Sequence, residues 1–180
     1  MESILGSVIW RFFKWLPPFI LRRIFSAEWM MKNIYIDIRP RHTSVEICQP
    51  DNPRVSIYLD IRNNTHFNVE IDRILLSFTY GTELANPQHF KREYLKPGES
   101  RTIYFTGNID HSRFQGLAFQ YQNNFRHCNL GILAECNTRL HKLCIERTLE
   151  GIKPEILNAH LLEAANKSSK MDAQTARASS

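Results

Sequence analysis

Between Arg54 and Tyr80, apolar and polar residues alternate with a period of two over two consecutive runs, the pattern of half-buried β-strands. Val55, Ile57, Leu59 and Ile61 share one face of the first run, while Ser56, Asp60 and Arg62 fall on the other with Tyr58 between them. Asn63-Asn64-Thr65-His66 supplies the turn into the second run. There Val69 and Ile71 keep one parity and Ile74, Leu76, Phe78 and Tyr80 the other, so the apolar face changes sides near Asp72-Arg73. A β-bulge at that point restores one continuous core face.

The same reading extends in both directions. Ile34, Ile36 and Ile38 alternate with Tyr35 and Asp37 in a first strand ended by Pro40, and Thr43 to Cys48 suggest a second before the Gln49 to Pro53 turn cluster. Thr82 to Tyr94 is polar and broken by Pro87, which predicts an irregular edge strand or loop. Leu95-Lys96-Pro97-Gly98-Glu99-Ser100 reads as a tight turn leading into a strand over Thr102 to Ile109. Asp110 or Ser112 can cap a short helix through Arg113 to Tyr121, broken by Asn123-Asn124. Arg126 to Cys136 and Arg139 to Thr148 then form a hairpin turning at Asn137-Thr138, and Gly151 closes the domain. A last short helix is expected over Pro154 to Ala165, followed by a tail rich in Ser, Ala and Lys that is expected to be disordered. About seven strands with one inserted helix add up to an antiparallel β-sandwich.

The first 25 residues carry a different period. On a helix of about 100° per residue, Ser7, Arg11 and Lys14 form one narrow stripe of Ile4 to Leu16, and Ile4, Leu5, Val8, Ile9, Phe12, Trp15 and Leu16 share roughly half the circumference. Pro17-Pro18 ends or bends this amphipathic helix, and a second apolar piece, Phe19 to Phe25, encloses Arg22-Arg23. Ser26 to Lys32 read as a linker, so the predicted organisation is a membrane-associating segment and linker over 1–31, a β-sandwich over 32–152, and a short helix and tail over 153–180.

Charge sharpens this picture. The net charge is +5, and residues 1–32 alone hold five basic residues against two acids. Their companions are large and apolar, which favours anionic lipid over nucleic acid as the acceptor. A spanning helix needs about 20 mostly apolar residues, and Arg11 and Lys14 near its centre would each cost about 2.5 to 3.5 kcal/mol. Lying in the interface avoids that cost: Trp10, Phe12, Phe13 and Trp15 insert, while Arg11, Lys14, Arg22 and Arg23 face headgroups. A re-entrant hairpin, a true span, and a helix docked on a protein partner or packed on the domain itself are the alternatives. A signal peptide fits poorly, because the basic residues follow the first apolar ones.

The run Ile57-x-Leu59-x-Ile61-Arg62-Asn63-Asn64, then a long strand ending Tyr80-Gly81, then Leu95-x-Pro97-Gly98-x-Ser100 before another strand, resembles the type 2 late-embryogenesis-abundant domain, also called the water-stress and hypersensitive-response domain. The likeness covers roughly residues 33–151, with Asn63-Asn64 standing where that family usually has Asn-Pro. It implies an immunoglobulin-like β-sandwich, often tethered by an N-terminal membrane segment, with stress-protective or interaction roles and no catalytic residues.

Candidate chemistry is sparse. Cys48, Cys128, Cys136 and Cys144 include no CxxC pair and predict free thiols, with Cys136 and Cys144 the pair to test for a disulfide because they flank the hairpin. His127-Cys128 and His141 with Cys144 point to opposite faces of a strand, so neither pair converges on a metal. Asp110-His111-Ser112 is a helix cap and not a triad, since triads are assembled from distant segments. Asp60 and Glu70 are the paired carboxylates that could meet across strands. Asn63-Asn64-Thr65 and Asn166-Lys167-Ser168 match the glycosylation sequon, a pattern short enough to recur by chance.

The expectation is therefore a non-enzymatic, membrane-associated β-sandwich acting as a binding, scaffolding or stress-protective module and facing the cytoplasm. It needs no cofactor, metal or nucleic acid. The rival readings are an accessory subunit whose N-terminal helix docks on a partner and a carrier of an apolar ligand.

Overall fold

The computed structural model describes residues 16–41, 44–48, 53–123 and 125–157 of the 180-residue chain. Among them the fold is mainly β, with two sheets and three short helices. In chain order these are α1 (Pro18–Ile24), α2 (Ala27–Asn33), β1 (Ile34–Ile38), β2 (Val45–Cys48), β3 (Arg54–Asn63), β4 (Val69–Tyr80), β5 (Thr82–Ala85), β6 (Gln88–His89), β7 (Glu93–Leu95), β8 (Ser100–Asn108), α3 (His111–Gln122), β9 (Cys128–Thr138), β10 (Lys142–Ile152) and β11 (Glu155–Ile156).

The strands predicted from alternation, β3 and β4, are the centre of separate sheets. Strand β8 pairs along the whole of β3, and β1 and β2 pair with its two halves from the other edge, with β11 added parallel to β2. In the second sheet β10 and β9 lie on one side of β4, while β7, β6 and β5 pair in turn along the other. Inward residues of both sheets, including Ile57, Leu59 and Ile61 of β3 and Ile74, Leu76 and Phe78 of β4, belong to one hydrophobic cluster. The β4 pairing with β9 slips between Ile71 and Arg73, so the bulge lies where the apolar parity changes and keeps Ile71 and Ile74 both inside.

Several expectations are corrected. Ser26 to Lys32 is no linker: α2 occupies it, with the Ser26 hydroxyl accepting from the Trp29 amide at 3.2 Å as an N-cap and Met30 fully buried. After Pro17 a new helix begins, Pro18 taking the first turn of α1, where its missing N–H costs nothing; the helix that Pro17-Pro18 was expected to end or bend lies outside the described residues. Leu21 and Met30 both join the core, so the compact unit reaches back to α1. The Thr82 to Tyr94 segment is the irregular edge expected of it, three short strands that pair in turn along β4. The hairpin turns slightly later than expected, the Thr138 amide donating to the His141 carbonyl at 2.9 Å. Gly151 does not close the unit, and Glu155–Ile156 is a strand where a helix was expected, its partner β2 lying about a hundred residues earlier. The helix over Ile4 to Leu16 lies, but for Leu16, outside the described residues, as do the Gln49 to Asn52 part of the turn cluster and everything after Leu157.

Strands β10 and β1 are the outer strands of the two sheets on one side of the fold. Arg147 of β10 crosses between them, its guanidinium donating to the Ile34 and Ile36 carbonyls, each at 3.4 Å, and lying 5.9 Å from the Tyr35 ring centre.

Replacing Met30 by alanine is expected to destabilise the fold by roughly 2–4 kcal/mol in urea denaturation, because it opens a cavity against both sheets. A change below about 0.5 kcal/mol would return this segment to the status of a linker.

Candidate functional site

The N-terminal helices are seated on a polar knot. At the end of β3, the Asn63 side chain is fully buried and its amide donates to the Phe67 carbonyl at 2.7 Å and the Leu95 carbonyl at 3.1 Å. Its oxygen accepts from the Thr65 amide at 2.9 Å and the Thr65 hydroxyl at 2.6 Å. The Asn63 carbonyl accepts from Gly98, whose φ of 77° lies in the left-handed region that glycine favours, and the Asn64 amide donates to Asn33 at the end of α2. The sequon at Asn63 is thereby closed: the nitrogen a glycan would need is a buried double donor.

Around this knot three turns, 63–67, 95–99 and 138–141, gather at one end of the sheets, and α1 and α2 cross that end. Phe25 contacts Phe67 and Trp29 with ring centres 5.2 Å apart, and Trp29 stacks on His66 at 6.1 Å. His141 Nε2 donates to the Phe25 carbonyl at 2.9 Å, and Arg22 Nε to the Leu140 carbonyl at 2.8 Å.

Of the eight residues expected to contact lipid, Trp10, Arg11, Phe12, Phe13, Lys14 and Trp15 lie outside the described residues, whereas Arg22 and Arg23 are exposed in the last turn of α1. The sequence reading did not single out their neighbours. Phe19 is 72% exposed and Ile24 51%, while Leu21, on the side of α1 opposite Phe19, is buried. Helical spacing sets Phe19 beside Arg23, so α1 presents an apolar and basic face away from the core. The signal was present in the alternation of Phe19 to Phe25, but only the packing of Leu21 fixes which side faces out.

No helix among the described residues is long and apolar enough to cross a membrane. Nor does any group of three or more His, Cys, Asp or Glu residues among them converge as a metal site. Asp60 and Glu70 do not face each other: Asp60 accepts from Thr102 in one sheet, and Glu70 lies 3.5 Å from Arg92 in the other. Asp110 sits at the N-cap of α3 without a side-chain cap bond. Cys136 pairs in register with Leu143 and faces the core, while Cys144 pairs with Glu135 and faces solvent; all four cysteines are free thiols. On the six-stranded sheet, the residues lining a groove of about 570 Å³ include Leu75, Ser77, Glu83, Leu133, Glu146 and Arg147.

No family model matches the sequence, and no curated protein matches it. Solved structures that align with the fold include the X-ray structure of the structural-genomics target SoR45, with 8% identity over 67% of this chain and 87% of that one and a TM-score of 0.47. The solution structure of AT1g01470 from Arabidopsis thaliana aligns with 12% identity over 69% of this chain and 81% of that one, with a TM-score of 0.42. A crystal structure of a protein from Archaeoglobus fulgidus aligns with 10% identity over 65% and 94% of the two chains, with a TM-score of 0.39. Likeness at this level assigns neither family nor partner.

Burial pushes the Cys128 and Cys136 thiols up to about 12 from an ordinary 9.0. The unfolded chain loses these protons first, so stability is fully present below pH 9 and falls as pH rises toward 12. The urea midpoint is expected to decline from about pH 9 upward, and less steeply in Cys128→Ala with Cys136→Ala. Equal slopes in the two proteins would assign the decline to other groups.

Proposed function

We propose that this chain is a non-enzymatic, membrane-associated β-sandwich of immunoglobulin-like type, held at an anionic lipid surface by its N-terminal segment and acting there as a binding, scaffolding or stress-protective module. The sandwich faces the cytoplasm in this reading, and the type 2 late-embryogenesis-abundant domain is the family it resembles through the Ile57 to Asn64 and Leu95 to Ser100 patterns. One observation carries the membrane reading: α1 leaves Phe19 and Ile24 in solvent beside Arg22 and Arg23, directly after the amphipathic stretch of residues 4–16. Large apolar side chains with adjacent cations suit the boundary between acyl chains and charged headgroups, where each basic side chain contributes on the order of 1 kcal/mol.

A second reading, an accessory subunit of a larger complex, draws on the opposite end of the sheets. There Phe119 of α3 is 65% exposed and Phe125 42%, and Arg126 lies 3.8 Å over the Tyr121 ring centre. An apolar ligand between the sheets is less favoured, since the inward side chains already form one packed cluster.

Flotation with phosphatidylcholine vesicles containing phosphatidylserine separates the first two. The full chain is expected to float, and Arg11→Glu with Lys14→Glu to reduce the bound fraction at least tenfold. Substitutions are preferable to removal of residues 1–31, which would strip Leu21 and Met30 from the core. If the full chain stays in solution and co-purifies with a stoichiometric protein instead, the subunit reading takes its place.

A further inference from the structure

We infer that the strands stand end-on to the lipid surface, and that the end of the sheets carrying α1, α2 and the β9–β10 turn is itself a second contact for anionic headgroups. This rests on the membrane reading above and adds a surface to it. Leu16, the first described residue, packs against the core just ahead of α1. The Arg22 bond to the Leu140 carbonyl fixes α1 against the β9–β10 turn, which brings Arg139 and Lys142 to the same end as Phe19 and Ile24. Both are exposed, and Lys96 is exposed on the neighbouring turn that holds Asn63.

The acidic residues of α2 and of the 95–99 turn are already engaged. Glu28 is 2.8 Å from Lys32 on α2, and Glu99 accepts from the Lys96 amide at 2.9 Å and from Arg101 at 3.0 Å. Those pairings hold the carboxyls of Glu28, beside Lys32, and Glu99, at the Lys96 amide, below the usual carboxylate range. Arg23, Arg139 and Lys142 have no such acidic partner among the described ion pairs. Exposed Phe19 and Ile24 at the same end as exposed Arg23, Arg139 and Lys142 match a bilayer interface, where rings and aliphatic side chains enter and cations meet phosphates.

Site-specific fluorescence on the full chain tests this orientation. In a Cys48→Ser, Cys144→Ser background, a dye is attached at Asn64→Cys, on an exposed turn beside α2, or at Glu150→Cys, at the far end of β10. With phosphatidylcholine–phosphatidylserine vesicles bearing a headgroup quencher, the dye at 64 is expected to be quenched at least threefold more than the dye at 150. In parallel, Phe19→Ser, Ile24→Ser and Arg139→Glu together should weaken vesicle binding at least tenfold while leaving the melting temperature unchanged, since all three side chains are exposed. Equal quenching at both positions in a chain that still floats would overturn the end-on orientation alone. A full chain that does not float removes the membrane reading and this surface with it.

Discussion

The Asn63 carboxamide sits where β3, the approach to β4 and the end of β7 meet, and its four hydrogen-bonding positions are all used within the protein. β3 belongs to one sheet, and β4 and β7 to the other, so this side chain ties the two layers at one end. A buried amide with even one vacant position carries a desolvation cost of about 1–3 kcal/mol, which makes the arrangement close to all-or-none. Because Asn64 also donates to Asn33, the placement of α2, and through it α1, follows from the same knot.

How much of this could be read from the chain depends on how local the determining contacts are. β3 and β4 were legible because their alternation is long and each has one buried face; even the bulge followed from the parity change between Ile71 and Ile74. α2 was not, since seven residues with a single fully buried side chain, Met30, carry too little periodicity to stand out from a polar connector. β11 escaped for another reason: Pro154 is as compatible with a strand entry as with a helix start, and only the distant β2 decides. The absence of a disulfide between Cys136 and Cys144 turns on a one-residue matter of register, which spacing from a turn does not reveal until the turn is placed.

For the candidate site the same distinction holds. Arg22 and Arg23 were recognisable as cations in an apolar run, but the outward direction of Phe19 depends on Leu21 finding the core. Asp60 and Glu70 were expected to be able to meet across strands and do not, because consecutive strands β3 and β4 enter different sheets. A short connection that switches sheets is invisible to periodicity. The helices that follow residues 1–15 are packed on the sheets instead of hanging from them, so whatever the N-terminus engages is coupled mechanically to the β-structure through Leu21 and Met30.

Arg147 has a consequence for how the molecule meets copies of itself. The outer edge of β1 bears backbone carbonyls that another strand could use to extend the sheet, and open edges of this kind are starting points for aggregation. By spending its guanidinium on the Ile34 and Ile36 carbonyls, Arg147 occupies the hydrogen-bonding positions an incoming strand would need. A cation at that seam also repels a second identical seam. Where copies meet at high local density, a guarded edge keeps lateral encounters from maturing into shared β-structure.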